Sequence, residues 1–358
     1  MKKYILLITI ILKLGLISNA QSVDLTEYLP KGFVKNGTVD YTTELQKGIN
    51  DNKSVSFPNF PILINEKGLK IGSNKILNFP SGSLLIMKPN YSERNALLLL
   101  ENVSNIEINN PTLIGDKENH LGTKGEWGMG ISVLSSRNIV INNPKVCKFW
   151  GDGIYIGEVF FDNRKKFKLS EYVSRNITIN GGNLDNNRRN GISVVSVIGL
   201  KINNTIISNT KGALPMAGID IEPNNNQQFL ENIIITGVTT KNNQEVGIKY
   251  VPSNFHGSRN KNVSVLIQDC TDIGSKVGIF LGGGKSKYAQ VPKKMNGYIK
   301  INNFKSYSNQ TPLKSGSIQK FNPDINMESF QVFKNNKRDY KLESTIKREA
   351  VGKSIMIR

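Results

Sequence analysis

The chain has 358 residues, with 47 Lys and Arg against 28 Asp and Glu, a net charge of +19 at pH 7. Only two histidines, His120 and His256, and two cysteines, Cys147 and Cys270, are present. That inventory excludes a multi-histidine metal centre and a disulfide-stapled scaffold.

In chain order, residues 1–20 combine Lys2 and Lys3, an apolar run from Tyr4 to Ile17, and Ser18-Asn-Ala before Gln21. These are the parts of a cleaved secretory signal peptide, so the mature protein is expected to be secreted, periplasmic or on the cell surface. Lys13 interrupts the run, and no other stretch approaches the ~20 apolar residues of a membrane span. For an exported protein the positive charge points to an acidic polysaccharide rather than to nucleic acid. Basic surfaces also arise from Lys-rich composition without any partner.

Residues 21–89 read as an amino-terminal cap with the first coils, including a short helix near 42–50. From 90 to 321 two phrases alternate. One is Gly130-Ile-Ser-Val, repeated as Gly153-Ile-Tyr-Ile, Gly191-Ile-Ser-Val, Gly218-Ile-Asp-Ile, Gly247-Ile-Lys-Tyr and Gly278-Ile-Phe-Leu. The steps are 23, 38, 27, 29 and 31 residues. The other is Asn105-Ile-Glu-Ile-Asn, with relatives at Asn138, Asn176, Asn232 and Asn262. Short β-branched strands, Asn and Gly turns, and no room for crossover helices predict a solenoid of strands, a parallel β-helix. Asn suits its corners because it tolerates left-handed backbone. Such a solenoid is one domain despite its length. Residues 322–358 lose the repeat and become charged, which predicts a carboxy-terminal cap or tail. The cysteines stand four rungs apart, roughly 19 Å at about 4.8 Å per rung, so they are expected to be free, buried thiols.

If the isoleucine of each glycine phrase points inward, strand alternation sends Ser132, Tyr155, Ser193, Asp220, Lys249 and Phe280 outward. A second outward column includes Glu222, and Arg189, Met216, Glu245 and Lys276 stand two residues before their glycines. Asp220 and Glu222 are then about 6.6 Å apart at Cα, Lys249 is one rung away, and Arg189 approaches from the rung before. Acids, cations and the aromatics Tyr155 and Trp127 share one solvent-facing strip. Its plainest reading is a solvated ladder of ion pairs.

The phrases Gly125-Glu-Trp-Gly-Met-Gly-Ile, Gly151-Asp-Gly-Ile-Tyr-Ile-Gly, Arg188-Arg-Asn-Gly-Ile-Ser and Ala217-Gly-Ile-Asp-Ile-Glu-Pro-Asn resemble the right-handed parallel β-helix proteins of the pectate-lyase-like superfamily. The resemblance implies an all-β, single-stranded right-handed solenoid over roughly 24–322. It also implies action on polysaccharides, by hydrolases, lyases, epimerases or tailspike depolymerases. The Asp-Asp, Gly-His-Gly and Arg-Ile-Lys motifs of polygalacturonases are missing.

Two mechanisms fit the strip. In a glycoside hydrolase, Asp220 and Glu222 divide the roles of general acid and base, and carboxyl groups roughly 6.5 to 9.5 Å apart suit inversion. In a polysaccharide lyase, Asp220 and Glu222 hold calcium, Lys249 removes the proton and Arg189 stabilises the intermediate. Hydrolysis without a cofactor is the first expectation, the calcium-assisted lyase the second, and a non-catalytic glycan binder the third. Tyr155, Trp127, Glu245, Arg188, Asp152 and His120 are the candidate substrate contacts. Asp152 is expected mainly to shape its turn, His120 to sit in a loop, and Lys249 to pair with Asp220 and Glu245.

Overall fold

Ile131, Ile154, Ile192, Ile219, Ile248 and Ile279 stand side by side in register, each excluded from solvent, and form the inner spine of the molecule. The computed structural model describes residues 22–159, 172–255, 261–283, 295–316, 323–351 and 355–358. The expected signal segment 1–20 and His256 lie outside the described residues.

Three long sheets wrap one apolar core, with 12, 9 and 11 strands, and each strand pairs with its counterparts one coil earlier and one coil later. Nearly every pairing is parallel; Gln331–Lys334 with Lys337–Arg338 is antiparallel. The chain is a right-handed parallel β-helix. The glycine phrases form the 9-stranded sheet and the asparagine phrases the 12-stranded one.

The corners explain the asparagines. Asn74, Asn105, Asn138, Asn176 and Asn232 have φ of 59, 60, 56, 54 and 53°, and Gly199 takes the same place in the intervening coil with φ 81°. Their amides also stack: Asn105 donates to Asn74 at 2.9 Å, Asn138 to Asn105 at 3.0 Å, and Asn176 to Asn138 at 3.1 Å.

The repeated glycines serve a different need, since none of them lies in the left-handed region. A Cβ on Gly191 would stand 2.7 Å from the carbonyl oxygen of Gly218, and one on Gly218 would stand 2.6 Å from that of Gly247. Each glycine therefore lets the next coil's backbone approach.

The helix Thr42–Asp51 buries Leu45 and Ile49 over the first coils. At the other end the coils continue beyond 321. Asp324–Glu328 and Gln331–Lys334 add rungs, and the helix Tyr340–Val351 lies beside the last ones. The charge in this segment hid the pattern, because Ile325 and Met327 point inward between exposed Asp324 and Glu328. Both cysteines are free. Cys270 is buried, but Cys147 is only half-buried, because Val146 takes the inward position of the strand Lys145–Cys147.

One interior carboxylate stands out. Asp272 accepts hydrogen bonds from Thr240 Oγ1 at 2.6 Å, Ser275 Oγ at 2.7 Å and Asn309 Nδ2, all neutral donors. Burial pushes its pKa up from 3.8 to about 6 against those bonds. The folded state thus holds this proton more tightly than the unfolded chain. The associated stability is present below about pH 4 and is lost as pH rises through about 6. Asp272→Asn should remove this loss, about 3 kcal/mol between those pH values. Denaturant midpoints of both proteins at pH 4 and pH 7 test it; identical pH dependence would count against the assignment.

Candidate functional site

The outward column forms as the alternation requires: Ser132, Tyr155, Ser193, Asp220, Lys249 and Phe280 lie in register across six strands. It is not, however, an open solvated ladder. Asp220 is 3% exposed and Ser193 1% exposed. Arg189, from the turn before its strand, reaches over Asp152 and Ser193, and Tyr155 packs against Met129 and Val195.

Arg189 anchors the first half. Its position immediately before the strand Asn190–Val194 is fixed by its own N–H, which donates to Gly151 O at 3.0 Å. From there Nη1 donates to Asp152 Oδ2 at 3.0 Å, and Nε lies 3.4 Å from Glu126 Oε2. Asp152 also accepts from the Asn190 N–H at 3.0 Å and from Ser193 Oγ at 2.7 Å. Its carboxylate is fully enclosed, and burial raises its pKa even though Arg189 works the other way. Asp152 is therefore more than a turn residue: it is the buried counter-charge that aims Arg189. Ser193 and Asn190 complete this cluster, and Asn190 Oδ1 in turn accepts from the Ala217 N–H at 3.0 Å, tying two strands together.

Lys249 anchors the second half. Its Nζ lies 3.2 Å from Asp220 Oδ1 and 2.5 Å from Glu222 Oε2. Two carboxylate oxygens that share one nitrogen partner lie within about 6 Å of each other, nearer the retaining than the inverting separation. Burial pushes Asp220 up to about 6, with Glu222 adding to the rise while Lys249 and Arg189 oppose it. For Lys249, burial favours the neutral amine, but Asp220 and Glu222 outweigh it and hold the pKa above its usual value. Beyond the ion-pair contacts with Glu126 at 3.4 Å and Lys249 at 3.2 Å, Arg189 Nε and Asp220 Oδ1 have no further partner among the described residues.

Other candidates go elsewhere. Glu245 pairs with Lys276 at 2.9 and 3.0 Å, not with Lys249. Both stand just before their strands, where Val246 and Val277 are register partners, so the pair forms from rung to rung. Arg188 stacks its guanidinium 3.7 Å from the Trp150 ring centre and donates to Gly125 O at 2.9 Å. His120 stacks on the same indole at 4.1 Å, with Nδ1 2.7 Å from Asp116 Oδ2. These contacts clamp the loop 115–126 to the coil, and they involve Trp150 and Asp116, which no sequence pattern marked. Trp127 stays 39% exposed, with the Arg94 guanidinium 4.8 Å from its ring centre.

The residues do not fit calcium at Asp220 and Glu222. Calcium takes six to eight oxygen ligands, whereas the Lys249 ammonium already lies between these carboxylates. Among the described residues no group of three or more His, Cys, Asp or Glu is placed to hold a metal ion.

No protein-family model matches the chain. The uncharacterized protein YclG of Bacillus subtilis is 28% identical over 186 residues, covering 48% of this chain; the chain spans only 31% of that relative's length. Among solved structures, the A-module of mannuronan C-5 epimerase AlgE6 from Azotobacter vinelandii superposes with a TM-score of 0.57 at 12% identity, over 87% of each chain. Tailspike protein gp49 of Acinetobacter baumannii bacteriophage Fri1, described as a capsular polysaccharide depolymerase, gives 0.55 at 13% identity, over 92% of this chain and 66% of the other. These likenesses place the fold among parallel β-helix proteins.

Removing Lys249 leaves Asp220 buried without its nearest cation. Lys249→Met should therefore destabilise the protein by about 3 kcal/mol at pH 7. The loss should shrink at pH 5, because a neutral Asp220 no longer needs the ammonium. Chemical unfolding at the two pH values measures this, and an equal loss at both would speak against the ion pair.

Proposed function

We propose that the chain is an exported polysaccharide-degrading enzyme, a glycoside hydrolase in which Asp220 donates the proton and Glu222 is the partner carboxylate. The observation that carries this reading is a buried Asp220 raised to about 6, beside a second and more exposed carboxylate, with the Lys249 ammonium in contact with both. Two titratable groups whose surroundings differ in this way are what acid and base roles require. A neutral Asp220 protonates the glycosidic oxygen as the bond to the sugar carbon breaks. Glu222 stabilises the positive charge that develops on that sugar, or takes the proton of the attacking water. Lys249 holds Glu222 in place, and Asp152 and Glu126 hold Arg189 beside the acids.

The same geometry weighs against elimination with Lys249 as base, because a base must be neutral and the two carboxylates favour the ammonium. The polysaccharide role agrees with the depolymerase and epimerase descriptions of proteins that share the fold. Export follows from the charged and apolar pattern of residues 1–20, and the net charge of +19 favours a polymer that includes acidic residues.

Incubation with a panel of acidic and neutral polysaccharides should release reducing ends without the ultraviolet absorbance of an unsaturated uronate. Activity should decline as pH rises through about 6, where Asp220 loses its proton. Asp220→Asn should lower turnover by at least about 100-fold while leaving the melting temperature within a few degrees. Absorbance rising together with reducing ends would transfer the chemistry to elimination, and undiminished turnover in Asp220→Asn would remove it from the proton-donor role.

A further inference from the structure

The outer face of the glycine-bearing sheet changes character before the acids are reached. The strands Arg94–Glu101 and Trp127–Leu134 run in register, with Trp127 beside Arg94 and Ser132 beside Leu99. Above them lies a groove of about 440 Å³. Met129, Leu134 and Tyr155 give it an apolar floor, and the half-exposed indole of Trp127 forms a wall. The charges on its rim balance, Glu66 and Glu101 against Lys67 and Arg94. A site built for a carboxylate or sulfate surrounds the anion with an excess of cations. In a chain of net charge +19 this groove has no such excess.

The groove and the acids belong to one strip. Tyr155 lines the groove and also stands in the column that continues through Ser193 to Asp220. The strand carrying Trp127 is three rungs from the strand carrying Asp220, roughly 14 Å at about 4.8 Å per rung. That offset is larger than one sugar ring, so a ring in the groove and the bond at Asp220 belong to different residues of a polymer.

We infer that this groove is a subsite for one uncharged pyranose ring of the polysaccharide, held with its C–H face on Trp127 and the apolar floor and its hydroxyls toward the polar rim. Aromatic faces suit such a ring because they cover apolar surface without demanding hydrogen bonds, while the rim fixes orientation. The inference rests on the polysaccharide reading above, though not on the hydrolytic mechanism. It names the part of the polymer that the positive net charge does not explain.

The test is affinity electrophoresis of the full chain through gels containing neutral or acidic polysaccharides, at low and high salt, alongside Trp127→Ala, Trp127→Phe and Asp220→Asn. Trp127→Ala should weaken binding on the order of tenfold. The loss should be the same at both salt concentrations, because stacking on an uncharged ring is not screened. Trp127→Phe should recover part of the affinity, and Asp220→Asn should bind as the unaltered chain does. A Trp127→Ala protein that melts normally and binds undiminished, or whose deficit disappears at high salt, overturns the subsite while leaving the polysaccharide reading standing. Failure of the unaltered chain to bind or cleave any polymer overturns both.

Discussion

Among the described residues, eight successive coils turn from the asparagine sheet to the 11-stranded sheet without a helix, and each does so through a residue with positive φ. Asn110, Asn143, Gly181, Asn204, Gly237, Asp269, Asn303 and Ser329 occupy that place coil after coil, with φ between 48 and 65°. A β-branched residue there would strain the backbone, whereas Asn and Gly enter the region at small cost. The corner sets where each strand begins. Because side chains alternate, a slip of one residue would carry the isoleucine spine to the surface and bury the charged column. The position of Asp220 beside Lys249 is thus decided by corners on another side of the solenoid.

That dependence explains what could be read in advance. The glycine phrases identified the sheet, the isoleucines gave its inward face, and the next residue in each phrase gave the column in which Asp220 and Lys249 meet. Register is a property of the repeat, so it can be read from spacing. Burial of the column is not, because it depends on side chains that arrive from outside the repeat. Arg189 could be placed near the strip, but its partner Asp152, on the adjacent rung, stands before its glycine as a turn residue would, and Trp150 belongs to no repeated phrase. Glu245 illustrates the same limit from the other direction: its distance from Lys249 along the chain is short, yet rung-to-rung stacking delivers it to Lys276.

Charges of both signs meet along the strip, Arg189 with Glu126 and Asp152, then Lys249 with Asp220 and Glu222. Removing such groups from water costs several kcal/mol per ion, and well-packed apolar residues of similar volume often serve stability as well or better. Three of the strands already show the apolar solution, since Ala217, Val246 and Val277 cluster on the same outer face. A fold that could have used that solution throughout but largely encloses four charges, Asp152, Arg189, Asp220 and Lys249, in the middle of one face is spending stability on something other than folding.

The interior supplies the control for this argument. Asp272 has a pKa raised to about 6, as Asp220 has, and burial is the first cause for both. Yet Asp272 points into the core, where Thr240, Ser275 and Asn309 answer its oxygens with neutral donors and, among the described residues, it forms no ion pair. Asp220 points outward and lies between a second carboxylate and two cations. A perturbed pKa by itself does not separate a structural acid from a chemical one. The separation comes from which face of the strand the residue occupies, and hence whether a polymer lying along the solenoid can bring an oxygen to the proton.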